Sequence, residues 1–445
     1  MAQYCKYYKE KKQVSYDNGV TFVDVTPAEY RRGDLIEEYS VDCGYVSPSQ
    51  KPLTLVPLEN GYFTVTNPFS ASTTVYYSKD NGGTWNTLIL SSGASNSVQA
   101  SSGETVMWRG NVFNTLNFGS SCNYNVEGNV LSLKYGNNFS GQTSPESKVM
   151  GDHLLGLFKD STKLISAEGL VLPHTFNTVV VLPGGGTVVE AGACAGMFSG
   201  CTSLTIAPEL PATTLQRSCY KNMFEGCTSL TEAPALSATT LNEYCYGAMF
   251  ANCTALETAP SLPATSLEYW CYSGMFDGCT SLTSAPVLPA STLADYCYGA
   301  MFKNCTSLTT VPVLSATTLA DSCYQHMFSG CTSLSIVPSN YLPVTSLESG
   351  CYARMFMGCT SLTTAPELPA TTLTDECYLL MFNGCSNLNY VKCLATDISA
   401  TESTTAWLSG VASTGVFAKA SSMSSWPTGT SGIPTGWDVA DVQNT

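Results

Sequence analysis

Apolar residues in the second half of the chain recur with a long, fixed period. A Met-Phe pair falls at Met197, Met223, Met249, Met275, Met301, Met327, Met355 and Met381, and every step is 26 residues except the 28 between Met327 and Met355. A fixed period of this size predicts a solenoid, because one unit cannot bury its apolar face without a neighbour. Within a unit Cys219, Met223 and Cys227 lie at i, i+4 and i+8, each of the first two followed by an aromatic ring, Tyr220 or Phe224. That spacing predicts a helix with one apolar stripe. Gly226, which is Asn252 or Asn304 in other copies, falls where a left-handed residue suits a helix end. Thr228–Thr231 reads as a short strand. The prolines at 208, 234, 260, 286, 312, 338 and 366 remove one sheet donor per unit. The expectation is short parallel strands plus helices, with a polyproline-like return through Ala-Thr-Thr-Leu.

The copies also serve as their own comparison. The second and third residues after the first Cys vary freely, as Lys221-Asn222, Gly247-Ala248, Ser273-Gly274, Gln325-His326, Ala353-Arg354 and Leu379-Leu380. So does the residue after Phe: Glu225, Ala251, Asp277, Lys303, Ser329, Met357. These positions are expected to face water. Cys, Met, Phe, Leu and Pro hardly vary and are expected to form the stacked core. The residue before each first Cys runs Ser218, Tyr244, Trp270, Tyr296, Ser322, Gly350, Glu376. Three adjacent units thus carry an aromatic at one phase, with Tyr269 beside Trp270 and the acceptors Glu243, Glu268 and Asp295 nearby. Two readings stay open: a platform for a sugar or a partner surface, or rings that cover the end of the next helix. In the 28-residue unit Ser339-Asn340-Tyr341-Leu342 reads as an inserted loop, and Tyr341 is its candidate contact.

The run Met-Phe-x-Gly-Cys-Thr-Ser-Leu-Thr-x-Ala-Pro-x-Leu-Pro resembles the BspA-like leucine-rich repeats of bacterial surface proteins, found in gut Bacteroidota and the phages that infect them. The resemblance covers roughly 150–393. It implies a curved α/β leucine-rich-repeat solenoid used for adhesion or recognition, and it brings no catalytic residue with it. The expected function is non-enzymatic recognition, as a tail-fibre-like virion component that binds a bacterial surface glycan or protein. A bacterial cell-surface adhesin and a purely structural virion protein are the alternatives. The first residues, MAQYCKYYKEKKQVSYDNG, lack the apolar segment of a secretory signal. This favours a virion protein made in the cytoplasm over an exported adhesin.

The rest of the chain divides around the array. Residues 1–48 are the most charged part and form the expected attachment segment toward other virion proteins. Ser15–Phe22 resembles an Asp-box there, and Arg32-Gly33-Asp34 spells an integrin-binding tripeptide too short to carry weight. Residues 49–150 hold seven strand-like runs, Leu53–Pro57, Tyr62–Thr66, Thr74–Ser78, Thr84–Leu90, Thr105–Arg109, Asn117–Gly119 and Val130–Tyr135, which predict an antiparallel β-sandwich. Ser78–Trp85, SKDNGGTW, matches the Asp-box pattern in full. Residues 151–393 form the solenoid, opened by a degenerate copy at Leu157–Leu164 in which Ser161 replaces Cys. An insertion at 174–189 reads as a projecting hairpin tipped by Gly184–Gly186; no Lys-Ser/Thr follows those glycines, so a phosphate loop is set aside. Residues 394–445 are expected to cap the array, with a helix at Ser403–Val411, Trp407 over the last unit, a final strand at Val416–Ala418, and Trp426 and Trp437 pinning a Ser/Gly/Pro-rich end.

Composition narrows the chemistry. The formal charge is −15 with only 12% charged residues, which argues against nucleic acid. No apolar run approaches a membrane span, so no membrane insertion is expected. Of 20 cysteines, 16 sit in the repeat columns. On a helix Cys219 and Cys227 would lie about 12 Å apart, too far for a disulfide, and no Cys-x-x-Cys suggests zinc. The cysteines are expected to be reduced and buried, and no cofactor or metal is expected. Asp-boxes occur in sialidases, whose sites gather three arginines. The five here, Arg31, Arg32, Arg109, Arg217 and Arg354, are not placed to converge. His153, His174 and His326 have no ligand-like spacing, and His326 is expected to be exposed. Without coiled-coil heptads, homo-oligomerisation stays open.

Overall fold

The structure is a computed structural model that describes residues 5–8, 11–14, 23–24, 48–68, 71–112, 116–142, 154–176, 180–181, 187–188 and 192–442. The Ser15–Phe22 motif, Arg32–Asp34, Arg31, His153 and the Gly184–Gly186 tip lie outside the described residues. Strands β1 (Cys5–Tyr8), β2 (Lys11–Val14) and β3 (Val23–Asp24) form a small antiparallel sheet.

Eight further strands, joined by a ninth from the start of the array, build two larger sheets: β4 (Leu53–Pro57), β5 (Gly61–Thr66), β6 (Thr73–Ser78), β7 (Asn86–Leu90), β8 (Ser95–Ala100), β9 (Val106–Gly110), β10 (Asn117–Ser120) and β11 (Tyr124–Asn129). One sheet has the order β10-β5-β8. The other has the order β12-β11-β4-β9-β6-β7, where β12 is Leu164–Val171. Their facing sides share one core: Phe63 meets Tyr124 edge-on at 5.2 Å and Trp108 meets Phe118 at 5.1 Å. Two strands escaped the sequence pattern. Ser95–Ala100 buries only Val98 and Ala100 on its inner face, too weak an alternation to read. Tyr124–Asn129 hides its inward Gly128 behind polar letters. Val130–Tyr135, expected as a strand, instead folds into a turn and one helical turn, Ser132–Tyr135. Buried Ser132 fixes it there, accepting from Leu53 N–H at 2.9 Å and donating to Trp108 O at 2.9 Å.

Strand β12 pairs in parallel with β11, and Ser166 bridges onward to Ile206 of the first regular repeat. The N-terminal sheet therefore runs into the repeat array. The ring stack does the same, from Phe118 to Phe158 at 6.0 Å and on to Phe198 at 5.6 Å. Ser161 breaks the Cys column for a physical reason: its Oγ lies 2.7 Å from the buried hydroxyl of Tyr124.

The Cys-Met-Cys segments are not α-helices. They are runs of overlapping β-turns. Lys221, Met223, Glu225 and Cys227 donate three residues back, to Ser218, Tyr220, Asn222 and Phe224, at 3.0–3.2 Å. The alternate residues Tyr220, Asn222, Phe224 and Gly226 donate instead to the next rung, to Cys245, Gly247, Met249 and Ala251, at 2.7–3.0 Å. Every fourth residue has positive φ: 57° at Ser218, 55° at Asn222 and 73° at Gly226. The i, i+4, i+8 pattern is satisfied better this way. An α-helix drifts about 40° for every four residues, whereas a four-residue spiral has no drift, and Cys219, Met223 and Cys227 are all fully buried. Within each spiral alternate N–H groups have their acceptor on the neighbouring rung, which makes each unit dependent on the next.

The expected short strands shrink to single parallel bridges such as Leu210↔Leu236, Glu232↔Thr258 and Ser284↔Thr310. Pro234 sits between the bridging residues Glu232 and Leu236 and lacks the N–H that would join them into one strand. Two ring columns fill the interior. Neighbours in the Phe column from Phe198 to Phe382 lie 5.4–5.7 Å apart. Those in the Tyr column from Tyr220 to Tyr378 lie 5.6–6.4 Å apart. All 16 repeat cysteines are buried. The second Cys of each rung donates its S–H to the Phe carbonyl of the rung before, as in Cys253 to Phe224 at 3.0 Å and Cys279 to Phe250 at 3.1 Å.

In the insertion, β13 (Val180–Val181) and β14 (Thr187–Val188) pair antiparallel. At the far end the expected capping helix is one more turn spiral, with positive φ at Glu402, Ala406 and Gly410. Phe382 donates to Trp407 O as Phe356 does to Met381 O, both at 2.9 Å, so Trp407 occupies the Met position. Parallel strands β15 (Tyr390–Cys393), β16 (Val416–Ala420) and β17 (Asp438–Val442) complete the stack. Trp407 stacks on Trp426 at 5.7 Å, and the indole N–H groups of Trp407 and Trp437 donate to Gly432 and Ala412.

Candidate functional site

The rung spiral sets one column of left-handed residues at its start: Ser218, Tyr244, Trp270, Tyr296, Ser322, Gly350 and Glu376, with φ between 53° and 60°. Ring stacking follows from rung stacking. Trp270 lies 6.0 Å from Tyr244 and 5.4 Å from Tyr296, tilted by 36° and 34°. Tyr269 stands edge-on to both tyrosines, at 5.4 Å and 6.1 Å. The four sequence candidates Tyr244, Tyr269, Trp270 and Tyr296 thus form one continuous patch. Trp270 is 37% exposed and the three tyrosines are half-buried.

The backbone does not need these rings. Ser218, Ser322, Gly350 and Glu376 hold the same φ, and their N–H groups reach the next rung at 2.8–2.9 Å. Tyr244, Trp270 and Tyr296 do so at 3.0, 3.3 and 3.0 Å. A bulky residue in the left-handed region costs about 1–2 kcal/mol. Ser218, Ser322 and Glu376 meet the same backbone cost, so what Tyr244, Trp270 and Tyr296 add to their rungs is the ring and not the conformation.

Charge frames one end of the patch. The Arg217 guanidinium lies 5.4 Å and the Lys221 ammonium 5.0 Å from the Tyr244 ring centre. Arg217 also pairs with Glu243 at 3.5 Å across an exposed gap. Partial burial, with the neighbouring Tyr269, raises the Tyr244 hydroxyl pKa. Of the expected acceptors, Glu268 and Asp295 are exposed.

Toward the N-terminal sheets the surface dips into a cleft of about 720 Å³. Its walls include Thr66 and Asn117 from one side and Lys159, Lys221, Asn222 and Glu225 from the first rungs. Asn117 is committed to the wall, donating to the Gly156 and Lys159 carbonyls at 3.0 Å each, and Asn222 donates to Glu225 at 2.7 Å. Among the described residues neither Lys159 nor Lys221 has a carboxylate within ion-pair distance. This cleft was not legible in the sequence, because its walls come from segments far apart in the chain.

Other candidates sit differently from expectation. Tyr341 is buried, 6.4 Å from the Phe328 ring, so the extra residues of the 28-residue unit turn it into the core and not out as a contact. His326 is half-buried, and burial, with Arg354 and Lys303 nearby, lowers its pKa to about 4. The variable positions form a rim more than an open face: Gly247, Ser273, Gly299 and Leu379 are buried while Lys221 is exposed. In the loop Ser78–Trp85, Asp80 accepts from Thr84 N–H at 2.8 Å, from Thr84 Oγ1 at 2.7 Å and from Ser78 Oγ at 2.7 Å, and these bonds hold its carboxyl at about 2. Trp85 donates to Gly82 O at 3.0 Å, and the Arg109 guanidinium stacks 3.8 Å over its ring. Burial pushes the Cys201, Cys253 and Cys331 thiols up to about 12, out of the range of reactive cysteine. Among the described residues no three His, Cys, Asp or Glu side chains gather as a metal site, and no helix is long and apolar enough to cross a membrane.

No curated protein and no solved structure matches the chain. The family description that does match is the BspA type leucine rich repeat region, in six copies over residues 195–335 and 302–403. The rungs that carry the aromatic patch are therefore part of a leucine-rich-repeat region of the BspA type.

Proposed function

We propose that this protein is a non-enzymatic recognition protein that holds a bacterial surface glycan against Tyr244, Tyr269, Trp270 and Tyr296. One observation carries the reading: the rungs with Ser218, Ser322, Gly350 and Glu376 keep the same backbone and the same inter-rung bond without a ring, so the backbone does not require the three adjacent aromatics, which leaves a patch free to serve recognition. Aromatic faces stack on the C–H faces of sugars, and exposed Glu268 and Asp295 can accept from sugar hydroxyls at the edge. The BspA-type repeats support surface recognition. In the Ser78–Trp85 loop, read as an Asp-box, Ser78, Asp80, Thr84 and Trp85 bond to one another, a structural use of these groups. As setting we infer a tail-fibre-like virion component, whose target is on the bacterial host. Support comes from the thiols that serve as S–H donors in the core, which must stay reduced until the rungs close.

The test is binding of labelled protein to intact gut bacteria and to a glycan array. The comparison is a Tyr244→Ser, Trp270→Ser, Tyr296→Ser variant, which places in each rung the residue that Ser218 already holds. Strain-selective binding that the variant loses is expected. Selective binding that survives moves the site off the patch, and absence of binding to every strain and glycan overturns the reading. Detection of the chain in purified particles by mass spectrometry checks the setting.

A further inference from the structure

We infer that the glycan carries free amino groups, and that their ammonium charge is held at the Trp270–Tyr296 end of the patch by the rings and by the carboxylates of Glu268, Asp295 and Asp321. This rests on the glycan reading above and adds the ligand's charge. The patch already holds cations of the chain itself. The Lys221 ammonium lies 5.0 Å and the Arg217 guanidinium 5.4 Å from the Tyr244 ring centre, within the range of a cation–π contact. Both sit at the Tyr244 end. Among the described residues no cation lies over Tyr269, Trp270 or Tyr296. Trp is the ring that attracts cations most, and Trp270 is the exposed ring of the four.

The surrounding charge is complementary to a cation. The stretches that frame the patch are 216–222, 242–248, 268–274, 294–300 and 320–326. Their lysines and arginines are Lys221 and Arg217, and their acids are Glu243, Glu268, Asp295 and Asp321. Burial, with Arg354 and Lys303 nearby, lowers the pKa of His326 to about 4 and keeps it neutral. Arg217 and Glu243 pair with each other, which leaves Lys221 against three carboxylates. All three are exposed, and among the described residues none has a Lys or Arg within ion-pair distance. The backbone sets two of them beside the rings: Asp295 O accepts from Trp270 N–H at 3.3 Å and Asp321 O from Tyr296 N–H at 3.0 Å. Each Asp spends Oδ1 on the next rung, accepting from Asp321 N–H and Ser349 N–H at 3.2 Å, and keeps Oδ2 for a ligand. The formal charge of −15 adds a field that draws cations in. The rings step by 6.0 and 5.4 Å along three rungs as an open row, not a closed cage. A row suits a chain of sugar rings that carry amines better than a single lysine tip.

The probes are a glucosamine oligomer and an N-acetylglucosamine oligomer of equal length, which differ only as ammonium and acetamide, and an oligolysine of equal charge. Calorimetric titrations run at low and high salt, with the amines protonated. The proteins are the native chain, a triple amide variant (Glu268→Gln, Asp295→Asn, Asp321→Asn), Lys221→Gln, and the Tyr244, Trp270, Tyr296 triple serine variant. Asn keeps the Oδ1 acceptor that the next rung uses, so the amide variant removes charge and not the inter-rung bond. The glucosamine oligomer is expected to bind about tenfold tighter than its acetylated partner. That preference falls with salt. The amide variant loses it and keeps binding of the acetylated probe. Lys221→Gln strengthens glucosamine binding, because it removes a like charge and frees the Tyr244 face. Equal binding of the two sugars, lost in the triple serine variant, overturns the amine and keeps the platform. A preference that survives in the amide variant, or that Lys221→Gln weakens, overturns the assignment to these carboxylates. Oligolysine binding as tight as that of the glucosamine oligomer overturns the sugar as carrier of the charge. No binding of either sugar by the native chain overturns the inference, while the glycan array decides the glycan reading separately.

Discussion

Trp270 is a large side chain held at φ 58°, an angle that Ser218 and Glu376 share without a ring, so replacing the ring tests whether it packs or binds. Asn tolerates the left-handed region at lower cost than Trp, a gain of about 1 kcal/mol. The Trp270→Asn change gives up ring contacts with Tyr244 and Tyr296, worth about 0.5–1.5 kcal/mol each. The loss exceeds the gain by at most about 2 kcal/mol, so Tm is expected to fall by less than about 5 °C while glycan binding is lost. A fall of about 10 °C in differential scanning calorimetry would mean that the rings are packing elements, the second reading the sequence left open. The aromatic phase was legible in the sequence because the period is fixed. The strain was not, because a Tyr or Trp at a left-handed position looks like any other until its φ is known. Tyr341 shows the converse: an insertion signals a loop, yet the direction of one ring within it is set by packing on Phe328.

At the scale of one rung, the period gave the stack and the stripe gave the buried face, but the stripe could not choose between a helix and a four-residue spiral. Gly and Asn at positions such as 226, 252, 278 and 304 carried the signal, read as the end of a helix and not as one of three left-handed residues per rung. The spiral makes a specific energetic prediction. Phe276 is fully buried and stacks on Phe250 and Phe302, each at 5.7 Å. Phe276→Ala is expected to cost about 3–5 kcal/mol. Rungs contact only their neighbours, so the loss should stay local. Hydrogen exchange should then accelerate first at the inter-rung donors Phe250, Asn252, Phe276 and Gly278, with the N-terminal sheets still protected. Uniform acceleration across the chain would show that the array unfolds as one unit and that the nearest-neighbour account is wrong.

At the scale of the whole molecule, the N-terminal sheets and the array are joined by three things at once: the parallel β11–β12 pairing, the Phe118–Phe158–Phe198 stack, and one buried polar contact. The sequence showed the first rung as degenerate, and a terminal unit must meet water or another part of the chain. Ser161 turns out to be the residue that meets it, through the Tyr124 hydroxyl 2.7 Å away. That makes the junction testable without deleting either part. Tyr124→Phe leaves the Ser161 hydroxyl buried without this partner, and Ser161→Ala does the same to the tyrosine, at about 1–3 kcal/mol each. Removing both leaves no orphan, so the double variant is expected to cost clearly less than the sum of the singles. The same cycle shows how the parts unfold. If the sheets seed the array, each single variant lowers the denaturation midpoint of sheets and rungs together. If additivity holds, and only the sheets shift, the contact does not couple them, and the cleft between them would lose its claim to a fixed shape.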